Sequence, residues 1–306
     1  MPPQERRGHT AFRLRPVGAL GYAAPVMQLV IISGLSGSGK SVALNVLEDA
    51  SFYCVDNLPA TLLFETVAFL RNAGYERVAV TVDARSGTAL AELPGSLGGL
   101  KAQGVDVRLL VLEAKNDALI KRFSETRRRH PLADAERTLD ESIARERELL
   151  EDVMELGHRI DTSDLAPNTL RAWIKDFFAI DRSGMTLLFE SFGFKQGIPL
   201  DADLVFDVRS LPNPFYDPQL RPLSGLDAPV VAFLDALPDA ATMLADIGDF
   251  VAKWLPSFMR DNRAYLTVAI GCTGGQHRSV YFVERLAGRF RAAAPVLVRH
   301  RQLART

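Results

Sequence analysis

Two glycine-rich loops, each following a short apolar run and opening a helical pattern, predict an α/β protein of two successive parallel-sheet domains. The first loop is Gly34-Leu35-Ser36-Gly37-Ser38-Gly39-Lys40-Ser41, and the second runs from Gly271 to Ser279. A third observation agrees. Short β-rich runs alternate with helical spacing through most of the chain, the pattern of a parallel sheet with helices on its faces. At 306 residues the chain has room for two domains of about 100–200 residues each.

The first domain is expected over residues 27–180. Gln28–Ser33 reads as a buried strand and Val42–Ala50 as a helix, so the first loop lies between strand and helix. In that context G-x-x-x-x-G-K-[ST] is a phosphate-binding loop with a mechanism. Gly34, Gly37 and Gly39 let backbone N–H groups turn inward. The helix N-terminus adds its positive dipole end. Lys40 is expected to reach the β- and γ-phosphates and Ser41 to hold Mg²⁺. The octapeptide, with Leu35, Ser36 and Ser38, is therefore the expected nucleotide site. The competing reading is a chance Gly/Ser-rich turn.

Further strands are expected at Ser51–Val55, Arg77–Val82, Asp106–Glu113 and Arg159–Ser163. Helices are expected at Thr61–Arg71, Leu119–Arg128, Leu139–Leu156 and Thr169–Phe178. Ligands of such sheets bind beyond the carboxyl ends of the strands, where Asp56, Asp83, Glu113 and Asp161 fall. An apolar strand ending in an aspartate is the usual second half of a nucleoside-triphosphate site, so Asp83 is the expected acidic partner of Mg²⁺. Asp56 and Glu113 compete with it. The run Arg122…Arg127-Arg128-Arg129-His130-Pro131 reads equally as a phosphate-clamping lid or as a solvated face. Ala135–Glu155, with Leu139, Ile143, Leu150 and Val153 on one face, reads as a structural amphipathic helix. The sequence contains no Asn-Lys-x-Asp element, which leaves ATP and GTP both open.

The polar stretch 179–184 reads as a linker, and the second domain is expected over 184–306. Met185–Glu190, Asp203–Arg209 and Tyr265–Ile270 read as strands, and Val280–Phe290 as a helix. The loop between the last two elements repeats the anion cradle of the first domain. It makes Thr273, Gly274, Gly275, His277, Arg278 and Ser279, together with Arg209, the expected contacts of a phosphorylated metabolite. His277 reads as a phosphate donor, with helix capping as the alternative. Cys272…Arg278-Ser279 also has the spacing of cysteine phosphatases, though the histidine that usually precedes the cysteine is Gly271 here. The arginines at the C-terminal end, of which Arg299, Arg301 and Arg305 are the RNA-phosphate candidates, could meet nucleic acid or form a solvated basic helix and tail.

Composition narrows the classes. A net charge of −1 gives no global pull toward nucleic acid or membrane. The hydrophobic share of 47% and the charged share of 24% are those of a soluble globular protein. Two cysteines, Cys54 and Cys272, make neither a disulfide framework nor a zinc site and suit a reducing cytoplasm. No apolar run approaches the ~18 residues that would span a bilayer. Residues 1–26 hold four arginines and one acid. They read as a disordered tail, or as residues upstream of a true start at Met27, with a targeting segment as the competing reading.

Five motifs in order carry a resemblance. They are Gly34–Ser41, Phe52-Tyr53-Cys54-Val55-Asp56-Asn57-Leu58-Pro59, Glu190-Ser191-Phe192-Gly193-Phe194-Lys195, Asp207-Val208-Arg209 with Leu211-Pro212-Asn213-Pro214, and Gly271–Ser279. Together they resemble the RapZ/YvcJ family from Met27 onward. The resemblance implies a cytoplasmic, kinase-like P-loop domain that binds and slowly hydrolyses Mg-ATP and Mg-GTP. It places a second nucleotide element, tied to GTP, on Asp83-Ala84-Arg85-Ser86. It also implies a C-terminal domain that senses glucosamine-6-phosphate, binds a small regulatory RNA, serves an endoribonuclease and assembles into homo-oligomers. Two departures stand out: Gln196 replaces a family histidine, and the lysine-rich end of the RNA-binding branch is missing. The alternative function is a P-loop phosphotransferase acting on a small metabolite, with Asp56-Asn57 beside the phosphate loop.

Overall fold

The computed structural model describes residues 26–134, 136–179, 185–260 and 265–303. Its first half is a five-stranded parallel sheet in the order β2-β3-β1-β4-β5. The strands are β1 (Gln28–Gly34), β2 (Tyr53–Val55), β3 (Arg77–Thr81), β4 (Asp106–Glu113) and β5 (His158–Asp161). The helices are α1 (Lys40–Asp49), α2 (Leu63–Asn72), α3 (Leu93–Ala102), α4 (Asn116–Thr126), α5 (Leu139–Met154) and α6 (Pro167–Ala179). β1 takes the centre because its apolar residues must be covered on both faces. Leu29 and Ile31 pack into one core with Val78, Val80 and Ile143. Val30 and Ile32 pack into the other with Leu47, Ala79 and Trp173. All strands run parallel, so their carboxyl ends share the edge that carries the phosphate loop.

The second half is a four-stranded parallel sheet in the order β7-β8-β6-β9. It contains β6 (Thr186–Gly193), β7 (Leu204–Asp207), α7 (Ala228–Asp235), α8 (Pro238–Arg260), β8 (Tyr265–Cys272), α9 (Arg278–Phe290) and β9 (Val296–His300). β6 is buried along its whole length. α9 packs most of its residues inward, with Val280, Phe282, Val283 and Leu286 in the core.

Three regions differ from the sequence reading. Ala84–Glu92 forms 3₁₀ turns that lead into α3; Gly95, Gly98 and Gly99 dilute the helical pattern there. α7 and α8 fill the stretch after Pro214, and α8 continues through Pro256. The basic C-terminal end holds strand β9, paired with β6 from Leu187↔Val296 to Ser191↔His300. The expected tail (residues 1–25), the linker residues 180–184 and Arg305 lie outside the described residues.

The two halves meet through polar contacts. Lys115 Nζ donates to the Gln196 carbonyl at 2.7 Å and Arg159 Nη2 to the Leu200 carbonyl at 2.9 Å. The Asp161 amide donates to Asp201 Oδ2 at 3.0 Å, and the Leu200 amide donates to Asp161 Oδ2 at 3.1 Å. Arg301 donates to Glu190 Oε1 at 3.3 Å and to the Asp161 carbonyl at 3.1 Å. Tyr265 lies tilted against His158, with 4.4 Å between ring centres.

Candidate functional site

β1 ends at Gly34, whose φ of +128° favours glycine. A Cβ there would lie 1.9 Å from the Leu112 carbonyl oxygen, so the backbone at the loop entry has no room for a side chain. The loop then turns through Gly37 (φ +84°) and Gly39 (φ +108°), and α1 starts at Lys40. Lys40 Nζ donates back to the Gly34 carbonyl at 2.6 Å. Burial pushes the Lys40 ammonium below its ordinary range, opposed by the negative charges of Glu146, Asp83 and Asp56 in that order. Ser41 is exposed at the first turn, and Ser38 is buried.

The loop is held from below. Thr162, just past β5, donates its hydroxyl to the Ser38 carbonyl at 2.9 Å. Arg122 of α4 donates to the Gly37 carbonyl at 3.1 Å and to Thr162 Oγ1 at 3.0 Å. Of the arginine run, Arg122 thus touches the loop, while Arg127, Arg128 and Arg129 are exposed.

Asp83 follows β3, the strand beside β1, and is buried. Both its oxygens accept from Arg85 Nε at 3.1 Å, and Arg85 Nη2 reaches Oδ2 at 2.6 Å. Its Oδ1 also accepts the Arg85 amide at 3.0 Å, which caps the turn that follows. Ser86 Oγ accepts from the Ala60 amide at 3.1 Å. Asp83-Ala84-Arg85-Ser86 is therefore one turn, closed over the end of β2 by a contact from Arg85 to Asn57. Asp56 accepts from Thr81 Oγ1 at 2.6 Å. Glu113 points elsewhere: Arg159 binds it at 2.7 Å, toward the second half.

A residue that the sequence reading gave no chemical role sits against the loop. Glu146 of α5 accepts the Ser36 amide on Oε2 and the Ser36 hydroxyl on Oε1, both at 2.8 Å. His130 Nε2 lies 3.1 Å from Glu146 Oε2. His130 Nδ1 accepts the Leu132 amide at 3.1 Å, so the neutral ring carries its proton on Nε2 and donates to Glu146. Glu146 and His130 are both buried.

The second loop joins β8 to α9. Gly275 has φ +73°, and a Cβ on it would lie 2.7 Å from the Gly193 amide nitrogen. The Gly275 amide donates to Cys272 Sγ at 3.2 Å, and Ser279 Oγ lies 3.2 Å from the same sulfur. Burial pushes the Cys272 thiol up. The contacts from Ser279 and Gly275, with Arg278 nearby, outweigh it and leave the thiol below its ordinary range. Arg278 donates to the Leu211 carbonyl at 2.6 Å and to Thr273 Oγ1 at 3.2 Å. Arg209, Asn213, Tyr216, Thr273 and Arg278 line an open cavity of about 570 Å³. Arg209 lies over the Phe194 ring, 3.9 Å from its centre, and pairs with Asp207 at 2.7 Å.

Several expected contacts fall elsewhere. Ser279 is buried beneath the loop against Cys272. His277 is buried, its Nε2 donates to the Leu220 carbonyl at 3.2 Å, and its side chain does not cap α9. It therefore does not line the cavity. Arg299 and Arg301 are also corrected as RNA contacts. Only 2% and 9% exposed, they turn inward from and just beyond β9. Arg299 reaches His158 at 3.1 Å and covers the Trp173 ring, while Arg301 is spent on Glu190 and Asp161.

Comparison with known proteins decides the family. The RapZ-like N-terminal domain matches residues 27–182, and the RapZ C-terminal domain matches residues 185–304. The chain belongs to the RapZ family. It is 64% identical over 280 residues to a nucleotide-binding protein of Azoarcus sp. (strain BH72), covering 91% of this chain and 96% of that one. It is 62% identical over 277 residues to a nucleotide-binding protein of Thiobacillus denitrificans, covering 90% and 100%. Among solved structures it is similar to a sugar kinase from Janibacter sp. HTCC2649, with 20% identity, a TM-score of 0.36, and coverage of 50% and 95%. It is also similar to a shikimate kinase from Bacteroides thetaiotaomicron, with 12% identity, a TM-score of 0.37, and coverage of 51% and 100%.

In this RapZ-family chain, no helix among the described residues is long and apolar enough to cross a membrane. Glu146 was hidden from sequence reasoning because it occupies the apolar face that carries Ile143, Leu150 and Val153. That placement was itself the available signal: an acid on a buried helical stripe needs a partner.

Proposed function

We propose that the chain is a nucleotide-binding regulatory protein that holds Mg-ATP or Mg-GTP at Gly34–Ser41, hydrolyses it slowly, and senses a sugar phosphate at its second loop. The observation that carries the first part is the Gly34–Ser41 loop between a buried central strand and the N-terminus of α1, with Lys40 at the turn. The relatives named as nucleotide-binding proteins support it. Ser41 offers an exposed hydroxyl, and Asp83, just past β3, would offer a carboxylate oxygen once Arg85 releases it. Mg²⁺ needs only one or two such protein ligands when phosphates and water complete its shell, so these residues fit the ion. Bound there, Mg²⁺ would neutralise charge on the β- and γ-phosphates. Lys40 would exchange its Gly34 contact for phosphate oxygens, and Arg122 would keep the loop fixed from below.

The second loop is supported as an anion site by Arg209, Thr273 and Arg278 lining one cavity, with Arg278 at the N-terminus of α9. A phosphorylated amino sugar, glucosamine-6-phosphate in kind, suits two guanidinium groups beside polar and aromatic side chains. RNA handed to an endoribonuclease draws no support from Arg285, Arg289, Arg299 or Arg301. Arg299 and Arg301 are buried, and Arg285 and Arg289 are paired with Asp235 and Asp249. The protein would bind these two anions as a cytoplasmic homo-oligomer. Titration calorimetry of the full chain with Mg-ATP, Mg-GTP and glucosamine-6-phosphate tests it. Heat of binding from one nucleotide and from the sugar phosphate is expected. No heat from either nucleotide contradicts the first part, and none from the sugar phosphate contradicts the second.

A second reading is favoured by the Asp56 carboxylate at the end of β2, held by Thr81 and lying in the field of Lys40. An acceptor hydroxyl hydrogen-bonded there would make the protein a phosphotransferase. Phosphorus NMR of a metabolite pool incubated with protein and ATP would show a new phosphomonoester.

A further inference from the structure

Slow hydrolysis requires a group that aligns water on the terminal phosphate, and the acids at the sheet edge are already engaged. Asp83 has both oxygens on the Arg85 guanidinium. Glu113 is bound by Arg159. A guanidinium partner holds a carboxylate in its charged form and weakens it as a base. Asp56 sits at the end of β2, where an acceptor would lie. Glu146 differs from them all. No guanidinium binds it: its hydrogen-bond partners are one amide, one hydroxyl and one imidazole, two of them on Ser36 in the phosphate loop itself, and the Lys40 ammonium lies in its field.

A carboxylate has about four lone-pair sites, two on each oxygen. On Oε2 both are taken, by the Ser36 amide and by His130. On Oε1 only the Ser36 hydroxyl is bound. One site on Oε1 is left, on a side chain fixed at three points beside the loop whose lysine reaches the terminal phosphates. His130 is in turn oriented by the Leu132 amide. The resulting order, phosphate loop, carboxylate, imidazole, backbone amide, is that of a base held by a second group.

We propose that Glu146 aligns the attacking water through Oε1 and accepts its proton, with His130 as the positioning residue behind it. This rests on the nucleotide reading above. In the step, the water oxygen bonds to the γ-phosphorus as the bond from that phosphorus to the β,γ-bridging oxygen breaks. The nucleoside diphosphate leaves with the electron pair. The water proton passes to Glu146 and then to the released phosphate.

The test uses the full chain, its Mg-ATP turnover, and its affinity for a non-hydrolysable ATP analogue. For Glu146→Gln, kcat is expected to fall about 100-fold or more, the contribution usual for a positioned base, while analogue affinity stays within about threefold of wild type. His130→Asn should lower kcat by a smaller factor and leave affinity equally unchanged. Should Glu146→Gln fail to fold, Glu146→Asp keeps a carboxylate, and its kcat is expected to drop while binding persists. Turnover by Glu146→Gln at the wild-type rate overturns the inference. So does a parallel loss of binding and turnover, which would make Glu146 a staple between α5 and the loop. A wild-type chain that binds the analogue without turning over ATP sinks this inference and leaves the binding site standing. One that binds no nucleotide removes both.

Discussion

Arg301 donates to the backbone carbonyl of Asp161 at 3.1 Å, tying the residue after β9 to the end of β5. The next residue, Thr162, donates to the Ser38 carbonyl in the phosphate loop. Gln302, beside Arg301, accepts the Gly193 amide at 2.9 Å on Oε1, and that oxygen lies close to Gly275 of the second loop. A continuous set of hydrogen bonds and close contacts thus runs between the two anion loops. Such a path carries coupling only if ligands at both ends bias it.

Removing Arg301 strips the buried Glu190, Asp201 and Asp161 of the cation that contacts all three, and leaves Arg299 as the buried charge near Glu190 and Asp201. Breaking a buried pair from one side costs about 3–5 kcal/mol, so Arg301→Ala should lower unfolding free energy by roughly that amount. Urea denaturation followed by circular dichroism measures it. A loss below about 1 kcal/mol, the scale of exposed pairs, would place Arg301 in a solvated setting that its burial contradicts.

Burial pushes the Glu190 carboxyl from an ordinary 4.5 up to about 8, with Asp201 adding to the effect and Arg301 and Arg299 opposing it. Between those two values the native state holds a proton that the unfolded chain has released. Stability from this group is full below the unfolded value, falls as pH rises through the window, and levels off above about 8. Glu190→Gln should flatten that decline in unfolding free energy measured across the same window. Asp201 and Glu113, also raised by burial, keep part of the slope. An unchanged slope in Glu190→Gln would contradict this assignment.

Arg209 is exposed, so its loss should leave the fold intact. Arg209→Ala is expected to weaken glucosamine-6-phosphate binding about tenfold, the scale of one lost charge-assisted contact. Nucleotide affinity and melting temperature should stay unchanged. Calorimetry and a thermal melt check the three together. Unchanged sugar-phosphate affinity would remove Arg209 from the site.

Much of this architecture was legible in the residues. Gln28–Gly34 and Tyr265–Cys272 announce central strands because their side chains are apolar without alternation, and glycines at Gly34 and Gly275 mark backbone that no side chain tolerates. Arg299 and Arg301 misled because charge run together in sequence reads as a solvated surface. Val296-Leu297-Val298 before them was the sign of a strand, and a strand turns alternate residues inward whatever their charge. His277 misled by standing next to Arg278; one residue of separation at a helix start turns the two side chains to different sides. Glu146 and Thr162 act on the phosphate loop from far along the chain, and no local pattern encodes such a meeting.

The central claim is that a nucleoside triphosphate binds at Gly34–Ser41. Its most direct test is the affinity of wild type and Lys40→Ala for Mg-ATP and Mg-GTP, by calorimetry on chains shown to share one circular dichroism spectrum. Removing a charge-assisted phosphate contact costs about 1.5–3 kcal/mol. The account therefore predicts saturable binding in the wild type and a loss of at least about tenfold in Lys40→Ala. Equal affinity in the two chains would contradict it.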